Sequence, residues 1–201
     1  MKVILVGASG RIGREIDKLL SDKHSIVRVG MNSGDVQCDY TDKKSVNDMF
    51  NTIGAFDALI SVAGRDSVFK NFEELEDDDY RYGFERKFLG QVGFVTIGQK
   101  YINDNGSFTV TGGFLSHYPH PTSAATGPLN AAIDTFVKTT APLLSRGIRL
   151  NVVSPAPVVE PSQVKRGLVT AEQTARLFIK AINGNMSGEV LRAWGGLPVP
   201  V

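Results

Sequence analysis

The fold of this chain is indicated by residues 3–13, which read VILVGASGRIG. An apolar run leads directly into glycine, and Gly7, Gly10 and Gly13 then recur at three-residue spacing. In a strand–turn–helix unit, the first glycine permits the turn, the second lets a phosphate approach the backbone, and the third lets helix and sheet pack closely. A turn that merely needs small residues does not explain this spacing. The stretch therefore predicts a dinucleotide-binding loop with the pyrophosphate at the helix N-terminus, formed by Gly7, Ser9, Gly10, Arg11, Ile12 and Gly13.

The alternation of apolar runs and amphipathic stretches continues along the whole chain. This pattern is typical of a parallel sheet with helices on both faces. We therefore predict a doubly wound α/β fold of the Rossmann type with a mainly parallel sheet, as one domain over residues 1–201. The predicted strands are Val3–Val6, Ile26–Val29, Ala58–Val62, Ser107–Thr111, Arg149–Val153 and Glu189–Ala193. The predicted helices are Ile12–Leu20, Lys44–Ile53, Tyr82–Ile102, Pro128–Leu144 and Ala171–Ile182.

Composition and charge narrow the class of protein. The formal net charge is +1, which provides no electrostatic footprint for nucleic acid or an anionic membrane. No apolar run reaches the length of about 20 residues that spans a bilayer. The only cysteine, Cys38, excludes an internal disulfide, and it is interpreted as a small half-buried filler. We therefore expect a cytoplasmic protein that binds neither nucleic acid nor membrane.

The choice between NAD and NADP depends on the end of the second predicted strand. An acidic residue there would bind the ribose 2′-OH of NAD and repel the 2′-phosphate of NADP. The sequence has Gly30-Met31-Asn32-Ser33, with no carboxylate before Asp35. Asn32 and Ser33 offer hydrogen-bond donors and Arg11 offers positive charge, although Arg11 is equally consistent with an exposed first-turn residue. The stretch favours NADP over NAD.

The ordered landmarks of the chain resemble those of the short-chain dehydrogenase/reductase family. After the glycine loop come CDYTD at residues 38–42, SVAG at residues 61–64, IRLNVVSPAPV at residues 148–158 and a double glycine at residues 195–196. The resemblance implies an oxidoreductase that binds a nicotinamide dinucleotide, with further cofactor contacts from Asp39 at the adenine and from Ala63, Gly64 and Pro155.

The resemblance also implies how copies of the chain would assemble. In that family the two long helices that correspond to Tyr82–Ile102 and Pro128–Leu144 pair across a two-fold axis. Tyr82–Ile102 is apolar on nearly every side and contains three glycines, each of which costs about 1 kcal/mol in a helix interior. Such a helix is poorly suited to a solvated face, so we expect a homodimer or homotetramer.

The positions that carry the chemistry of the family are changed in this sequence. There, a serine orients the carbonyl, a tyrosine exchanges the proton, a lysine lowers the tyrosine pKa, and an asparagine supports a water relay. The resemblance places these roles on Gly113, Thr126, Asn130 and Lys87, respectively. A threonine hydroxyl is a poor general acid near neutral pH, and asparagine carries no charge to help it. The usual proton-transfer device is therefore absent.

Other groups offer replacements for the missing acid. The loop Phe114–Pro121 brings His117, Tyr118 and His120 to the border of the nicotinamide in this fold, and each is a candidate acid. Lys87 is a candidate ammonium beside the ribose or the developing oxyanion. The alternative interpretation makes the loop residues ordinary surface groups and Lys87 a helix residue that snorkels to solvent.

Two functions remain open from the sequence. One is an NADP-dependent oxidoreductase with non-standard catalytic residues, acting on an unknown carbonyl or alcohol substrate that Thr111 also helps to bind. The other is a non-catalytic NADP(H)-binding sensor or interaction protein. The segment between Pro157 and the last predicted helix is short for the family, which predicts an open or shallow pocket.

Overall fold

The computed structural model describes residues 1–64 and 67–200. Across these residues, seven strands form one sheet in the order β3-β2-β1-β4-β5-β6-β7, and every neighbouring pair is parallel. The strands are β1 (Lys2–Val6), β2 (Ser25–Gly30), β3 (Val36–Gln37), β4 (Phe56–Ser61), β5 (Ile102–Thr111), β6 (Arg149–Pro155) and β7 (Val190–Ala193). The α-helices are α1 (Arg11–Leu20), α2 (Lys43–Ile53), α3 (Asp77–Gly83), α4 (Gly90–Gly98), α5 (Thr126–Thr140) and α6 (Ala171–Asn183). The predicted Rossmann-type α/β fold is confirmed.

Strand β1 shows why the apolar runs form a buried sheet. Its side chains alternate between the two faces, and both faces are covered by helices. Ile4 and Val6 pack into a core with buried residues of α2, α4 and α5, whereas Val3 and Leu5 pack into a second core with α1 and α6. All four side chains are almost completely buried. A continuous apolar strand is therefore required at this position, and alternation with polar residues would leave one core incomplete.

The strand order places the ligand-binding edge of the sheet. The chain runs outward from β1 through β2 to β3, then returns to β4 on the other side of β1. In doubly wound sheets the crevice beyond the carboxyl ends of the strands at such a reversal binds ligands. Gly7 follows β1 and residues 62–64 follow β4, so the glycine loop and the SVAG stretch lie side by side at this crevice.

The predicted helix Tyr82–Ile102 is wrong as a single element. The structure instead has α3, a π-helical segment at Phe84–Leu89, and then α4, which ends at Gly98. Ile102 belongs to β5, because it is buried in register with Phe56 of β4. Strand β3 was not predicted, since two residues are too short to show a period. The predicted helix Pro128–Leu144 differs at its ends: α5 spans Thr126–Thr140, and a 3-10 turn that contains Pro142 follows at Ala141–Leu143.

Two further sequence expectations concern the surface and the interior. Among the described residues, no helix has both the length and the apolar character to span a membrane. Cys38 is buried rather than half-buried, and burial raises the pKa of its thiol to about 11.

Candidate functional site

At Gly7 and Gly13 the glycine loop is held by backbone contacts that leave no room for a side chain. Gly7 has φ +84°, a conformation that favours glycine, and its N–H donates to the carbonyl of Val29 at 2.8 Å. A Cβ at Gly13 would overlap the carbonyl oxygen of Gly7, and a Cβ at Gly7 would lie 3.0 Å from the backbone nitrogen of Ala63. Helix α1 begins immediately after Gly10, without an acidic residue in its first turn. The loop is therefore a small backbone cradle at a helix N-terminus, which suits an anion.

Two cavities border this cradle, one on each side. The Lys87 cavity has a volume of about 390 Å³. Its lining includes the predicted residues Gly10, Arg11, Ile12, Gly13, Ala63, Gly64, Lys87, Thr111, Gly113, Thr126, Asn130 and Pro155. The Tyr40 cavity has a volume of about 530 Å³ and is lined by the predicted residues Gly7, Ser9, Gly10, Asn32, Ser33, Ala63 and Gly64, together with Tyr40 and Arg86. The two cavities share Gly10, Ala63 and Gly64, so together they provide a cleft that runs across the glycine loop.

Lys87 lies in the π-helical segment and is only 6% exposed. Its Nζ donates to the carbonyl oxygen of Gly112 and to Oδ1 of Asn130, both at 3.1 Å. Its stem packs under Gly64, where a Cβ would lie 3.0 Å from Lys87 Cγ. Burial lowers the pKa of Lys87 to about 8, partly opposed by the charge of Asp134. The alternative in which Lys87 snorkels to solvent is therefore wrong, because the π segment and the contact with Asn130 hold its ammonium inside.

Gly113 and Asn130 are matched to one another. A Cβ at Gly113 would lie 2.6 Å from Nδ2 of Asn130, although the extended backbone at Gly113 (φ 169°) accepts any residue. The backbone conformation would therefore accept a side chain here, but the Asn130 amide would have to move to make room for it. A serine at position 113 would displace the Asn130 side chain and with it one of the two acceptors of the Lys87 ammonium.

The two threonines of the Lys87 cavity both donate their hydroxyl protons to backbone carbonyls. Thr126 Oγ1 donates to the carbonyl of Val68 at 2.9 Å, and Thr111 Oγ1 donates to the carbonyl of Ser61 at 2.6 Å. Gln91, which the sequence did not reveal, ties this wall together. Its Nε2 donates to the carbonyl of Thr111 at 2.9 Å, and its Oε1 accepts from the Thr111 N–H at 2.7 Å. The side chain of Gln91 thereby links the start of α4 to the end of β5.

A buried carboxylate lies behind Asn130, on the same helix. Asp134 is 5% exposed, and its Oδ1 has no hydrogen-bond partner within the described part of the chain. Its Oδ2 lies 3.9 Å from Nε2 of His117. Burial raises the pKa of Asp134 to about 6, while burial and the charge of Arg192 lower the pKa of His117. No sequence motif indicated Asp134, because the feature that distinguishes it is its burial.

The loop Phe114–Pro121 does not bring an acid to the Lys87 cavity. The hydroxyl of Tyr118 donates to the carbonyl of Pro198 at 2.6 Å, and its ring packs edge-on against Trp194. The ring of His117 also contacts Trp194, with 5.0 Å between centroids, and the exposed His120 pairs with Thr122. Among the described residues of this loop, only Phe114 and Leu115 line the cavity. The phenol and the imidazoles of the loop therefore contact other partners and do not line the cavity.

The charged residues around the two cavities differ in part from the sequence expectation. Arg11 donates to the carbonyl of Val158 at 3.0 Å and to Glu160 Oε1 at 3.2 Å, and it lines the Lys87 cavity rather than the Tyr40 cavity that contains Asn32 and Ser33. Arg86, which precedes Lys87, lines the Tyr40 cavity. Asp39 lies beside that cavity, where its carboxylate accepts from Thr41 N at 2.9 Å and Thr41 Oγ1 at 2.7 Å; these hydrogen bonds lower its pKa.

A glycine cradle between β1 and α1, placed where the strand order reverses, defines a dinucleotide-binding α/β protein. A family model described as enoyl-(acyl carrier protein) reductase matches residues 2–185. The protein lin1944 from Listeria innocua has a similar structure, with 34% identity, a TM-score of 0.90, and coverage of 96% of this chain and 100% of that chain. A small-chain dehydrogenase in complex with NADPH is 29% identical, with a TM-score of 0.87 and coverage of 98% and 97%.

A curated relative gives a shorter match. The uncharacterized oxidoreductase YhxD of Bacillus subtilis (strain 168) is 30% identical over 128 residues, which is 62% of this chain but only 42% of that protein. This chain therefore matches less than half the length of YhxD. The model match and the structural likeness nevertheless cover almost the whole chain. The chain belongs to the short-chain dehydrogenase/reductase family.

Proposed function

We propose that the protein is an NADP(H)-dependent oxidoreductase that interconverts a small carbonyl compound and the corresponding alcohol at a non-standard site. The observation that carries this proposal is the Lys87 cavity, in which the glycine loop and a buried ammonium line the same space. Most of the other lining side chains are apolar, including Val62, Phe69 and Phe114. Such a pocket suits a small organic substrate with one polar group to be recognised.

The described residues fit a dinucleotide across the two cavities. The backbone cradle at Gly10 and the N-terminus of α1 is suited to the pyrophosphate, and the Tyr40 cavity to the adenosine. The residues that would hold the cofactor are Gly7, Ser9, Gly10, Ile12, Gly13, Ala63, Gly64 and Pro155. When bound, a reduced nicotinamide supplies a hydride to an electron-poor carbon.

A preference for NADP(H) over NAD(H) is part of the proposal. Asn32 and Ser33 are exposed in the Tyr40 cavity, and no carboxylate is among its described lining residues. Arg86 lines the same cavity and provides positive charge there. The NADPH complex of the related dehydrogenase supports this choice. Arg11 supports it less directly, because it lines the Lys87 cavity and not the Tyr40 cavity.

The test combines binding with turnover. Calorimetric titration with NADPH and NADH is run beside an assay of NADPH oxidation against a panel of small aldehydes and ketones. We expect tighter binding of NADPH and measurable oxidation with at least one carbonyl compound. Equal or reversed affinities would remove the cofactor preference, and binding without turnover across the panel would contradict the oxidoreductase.

A second candidate is a non-catalytic NADP(H)-binding sensor or interaction protein. One observation favours it: the Thr126 hydroxyl, at the position of the family's proton donor, already donates to the carbonyl of Val68. Such a protein would bind NADPH in the calorimeter with no turnover in the same experiment.

We also propose that the protein is a cytoplasmic homodimer or homotetramer, paired through α4, α5 and the π segment. Leu89 is 53% exposed, and a groove of about 510 Å³ runs past Glu85, Leu89, Gly93 and Ile97. A Cβ at Gly93 would meet nothing within 4 Å, so another helix has room to approach there. Light scattering at micromolar concentration should give a dimer or larger, and Leu89→Arg should shift it to monomer. A monomeric wild-type protein would contradict this assembly.

A further inference from the structure

We propose that Lys87 is the proton donor and acceptor of this site, held in place by Asn130 as its positioning residue. The inference rests on the proposed oxidoreductase function and identifies the group that replaces the missing tyrosine. It is carried by the position of the ammonium in the Lys87 cavity and by its contacts with Asn130 of α5 and with Gly112 at the end of β5.

Few of the side chains that line the Lys87 cavity are able to exchange a proton. Among its described lining residues, only Arg11 and Lys87 carry titratable side chains. An arginine does not lose its proton in proteins, so Arg11 cannot exchange one. Thr126 and Thr111 use their hydroxyl protons for backbone carbonyls, and Tyr118 donates to Pro198 outside the cavity. Of the titratable side chains among the described lining residues, Lys87 is therefore the one that is able to give and take a proton.

The geometry of the Lys87 ammonium also suits a proton donor. Two of its three N–H groups are accounted for by Gly112 and Asn130, and the third has no partner among the described residues. The side chain is clamped between Gly64 and these acceptors, so it cannot swing out to solvent without leaving the buried carbonyl of Gly112 unpaired. A proton donor fixed at the wall of a cavity, with one N–H to spare, has the arrangement that general acid catalysis requires.

Relative to the family pattern, the lysine and the asparagine of this site have exchanged helices. In the family, the lysine lies on the helix that corresponds to α5 and the asparagine on the preceding long helix. Here α5 carries Asn130, and the preceding π segment carries Lys87. Their side chains meet at 3.1 Å, so one ammonium and one amide still occupy the same place. The glycine at 113 accommodates the exchanged pair, since a Cβ there would strike Asn130. The π segment adds to the evidence, because such irregularities in helices often occur at functional sites.

The chemistry balances for carbonyl reduction. The hydride brings two electrons and one hydrogen to the carbonyl carbon, and the electron pair of the C=O π bond takes a proton from Lys87 Nζ to form the O–H bond. The products are the alcohol and the oxidised cofactor. Lys87 is left as a neutral amine and regains a proton from water. In the reverse direction, the neutral amine accepts the hydroxyl proton of the alcohol.

The surroundings of Lys87 set the pH at which it would work. Burial lowers the pKa of Lys87 to about 8, and Asp134 on α5 opposes this effect. Asp134 in turn faces His117, Lys138 and Arg192. At neutral pH most of the molecules carry the ammonium, which is still acidic enough to release its proton. The rate of carbonyl reduction should therefore fall as the pH rises through about 8.

Three variants test the assignment in the full-length protein. Lys87→Met removes the proton, Lys87→Arg keeps a positive charge that cannot release one, and Lys180→Met removes a charge from an exposed position on α6 as the matched control. We expect Lys87→Met and Lys87→Arg to lower the turnover of the best carbonyl of the panel by about 10²- to 10⁴-fold. Their NADPH affinities should stay within about fivefold of wild type, and Lys180→Met should keep its turnover.

Each result has one meaning. Turnover by Lys87→Met within about threefold of wild type would overturn the assignment. Full turnover by Lys87→Arg would make Lys87 a charge stabiliser and also overturn it. Absence of turnover in the wild-type protein, with NADPH bound, is a failure of the proposed function and is recognised before any variant is made.

A measurement without turnover reports on Lys87 directly. Competitive labelling of the ligand-free wild-type protein with trace acetic anhydride, quantified by mass spectrometry at Lys87 and Lys138 between pH 6 and pH 11, gives the midpoint for each amine. We expect a midpoint near 8 for Lys87, lower than that for Lys138, and protection of Lys87 by NADPH. A midpoint for Lys87 equal to that of Lys138, or no protection, would overturn the proposal.

Discussion

The glycine loop and the Lys87–Asn130 pair lie on the same cleft but are built in different ways. The loop acts through its backbone. Gly7, Gly10 and Gly13 allow close backbone contacts and offer N–H groups, and helix α1 contributes its dipole. The Lys87–Asn130 pair acts through side chains that come from two helices and meet on a strand end. Backbone recognition depends on where the chain runs, whereas side-chain recognition depends on which residue occupies each position.

The difference explains why the two regions tolerate change differently. A residue that clashes in the cradle removes it, because no other part of the chain can replace the same backbone. An ammonium and an amide, in contrast, can trade helices and still meet, as Lys87 and Asn130 do. In the assignment that the family resemblance implies, the proposed cofactor end of the cleft keeps the family pattern and the proposed chemical end departs from it. The following predictions test this contrast.

The largest expected effect is a charge placed in the cradle. Gly10 has φ −74°, which any residue can adopt, so Gly10→Asp should fold. Its carboxylate would face a pyrophosphate with two negative charges at the helix N-terminus, and like charges at about 4 Å cost several kcal/mol near a protein surface. We expect a loss of NADPH affinity of about 100-fold or more by calorimetry. Gly10→Ala, which adds bulk without charge, should lose much less, and equal losses would show that the loop does not hold the phosphates.

Most of the fold could be predicted from sequence, because its signals are local. An apolar run such as Val3–Val6 marks a buried parallel strand, and the glycine spacing marks the turn after β1. The break of Tyr82–Ile102 into three segments could not be predicted in this way. Its apolar residues lie on nearly every side of the predicted helix. The sequence therefore contains no single apolar stripe whose interruption would reveal the π segment.

The candidate site could be predicted only where it depends on position in the chain. The resemblance placed Lys87, Gly113, Thr126 and Asn130 at one cleft, and all four line the same cavity. The burial of Lys87 could not be predicted, since its partner Asn130 is 43 residues away. The orientation of Tyr118 depends on Trp194 and Pro198, which are equally remote in sequence.

The second prediction tests the exchange itself. The single variant Lys87→Asn removes the ammonium, whereas the double variant Lys87→Asn with Asn130→Lys returns each residue type to its usual helix. If the cleft needs one ammonium beside one amide, the double variant should recover at least about tenfold in turnover over the single variant, a coupling of about 1.4 kcal/mol. Turnover that is no higher in the double variant would show that the helix of origin matters and that the pair is not exchangeable.

The third prediction separates the two arginines of the cofactor end. Arg86 lines the Tyr40 cavity, and Arg11 lies against Glu160 on the other side of the loop. Arg86→Met should therefore weaken NADPH binding by about five- to tenfold more than NADH binding, since one charge-assisted contact to the 2′-phosphate is lost. Arg11→Met, the matched control, should change the two affinities equally. A loss of NADPH preference in Arg11→Met alone would reverse the assignment.

The smallest expected effect concerns Asp134, whose buried carboxyl lies behind the Lys87–Asn130 pair. Because burial raises its pKa from 3.8 to about 6, the folded protein binds this proton more tightly than the unfolded chain. Its favourable contribution is complete below about pH 4 and is lost as the pH rises through about 6. Asp134→Asn cannot ionise and avoids that loss, although it also removes a negative charge that steadies the Lys87 ammonium. The difference in free energy of unfolding between the variant and wild type should therefore be about 1 kcal/mol more favourable to the variant at pH 7.5 than at pH 4.5. Urea unfolding at the two pH values measures this difference, with the exposed Asp22→Asn as control. A difference between variant and wild type that is the same at both pH values would mean that Asp134 is already ionised throughout.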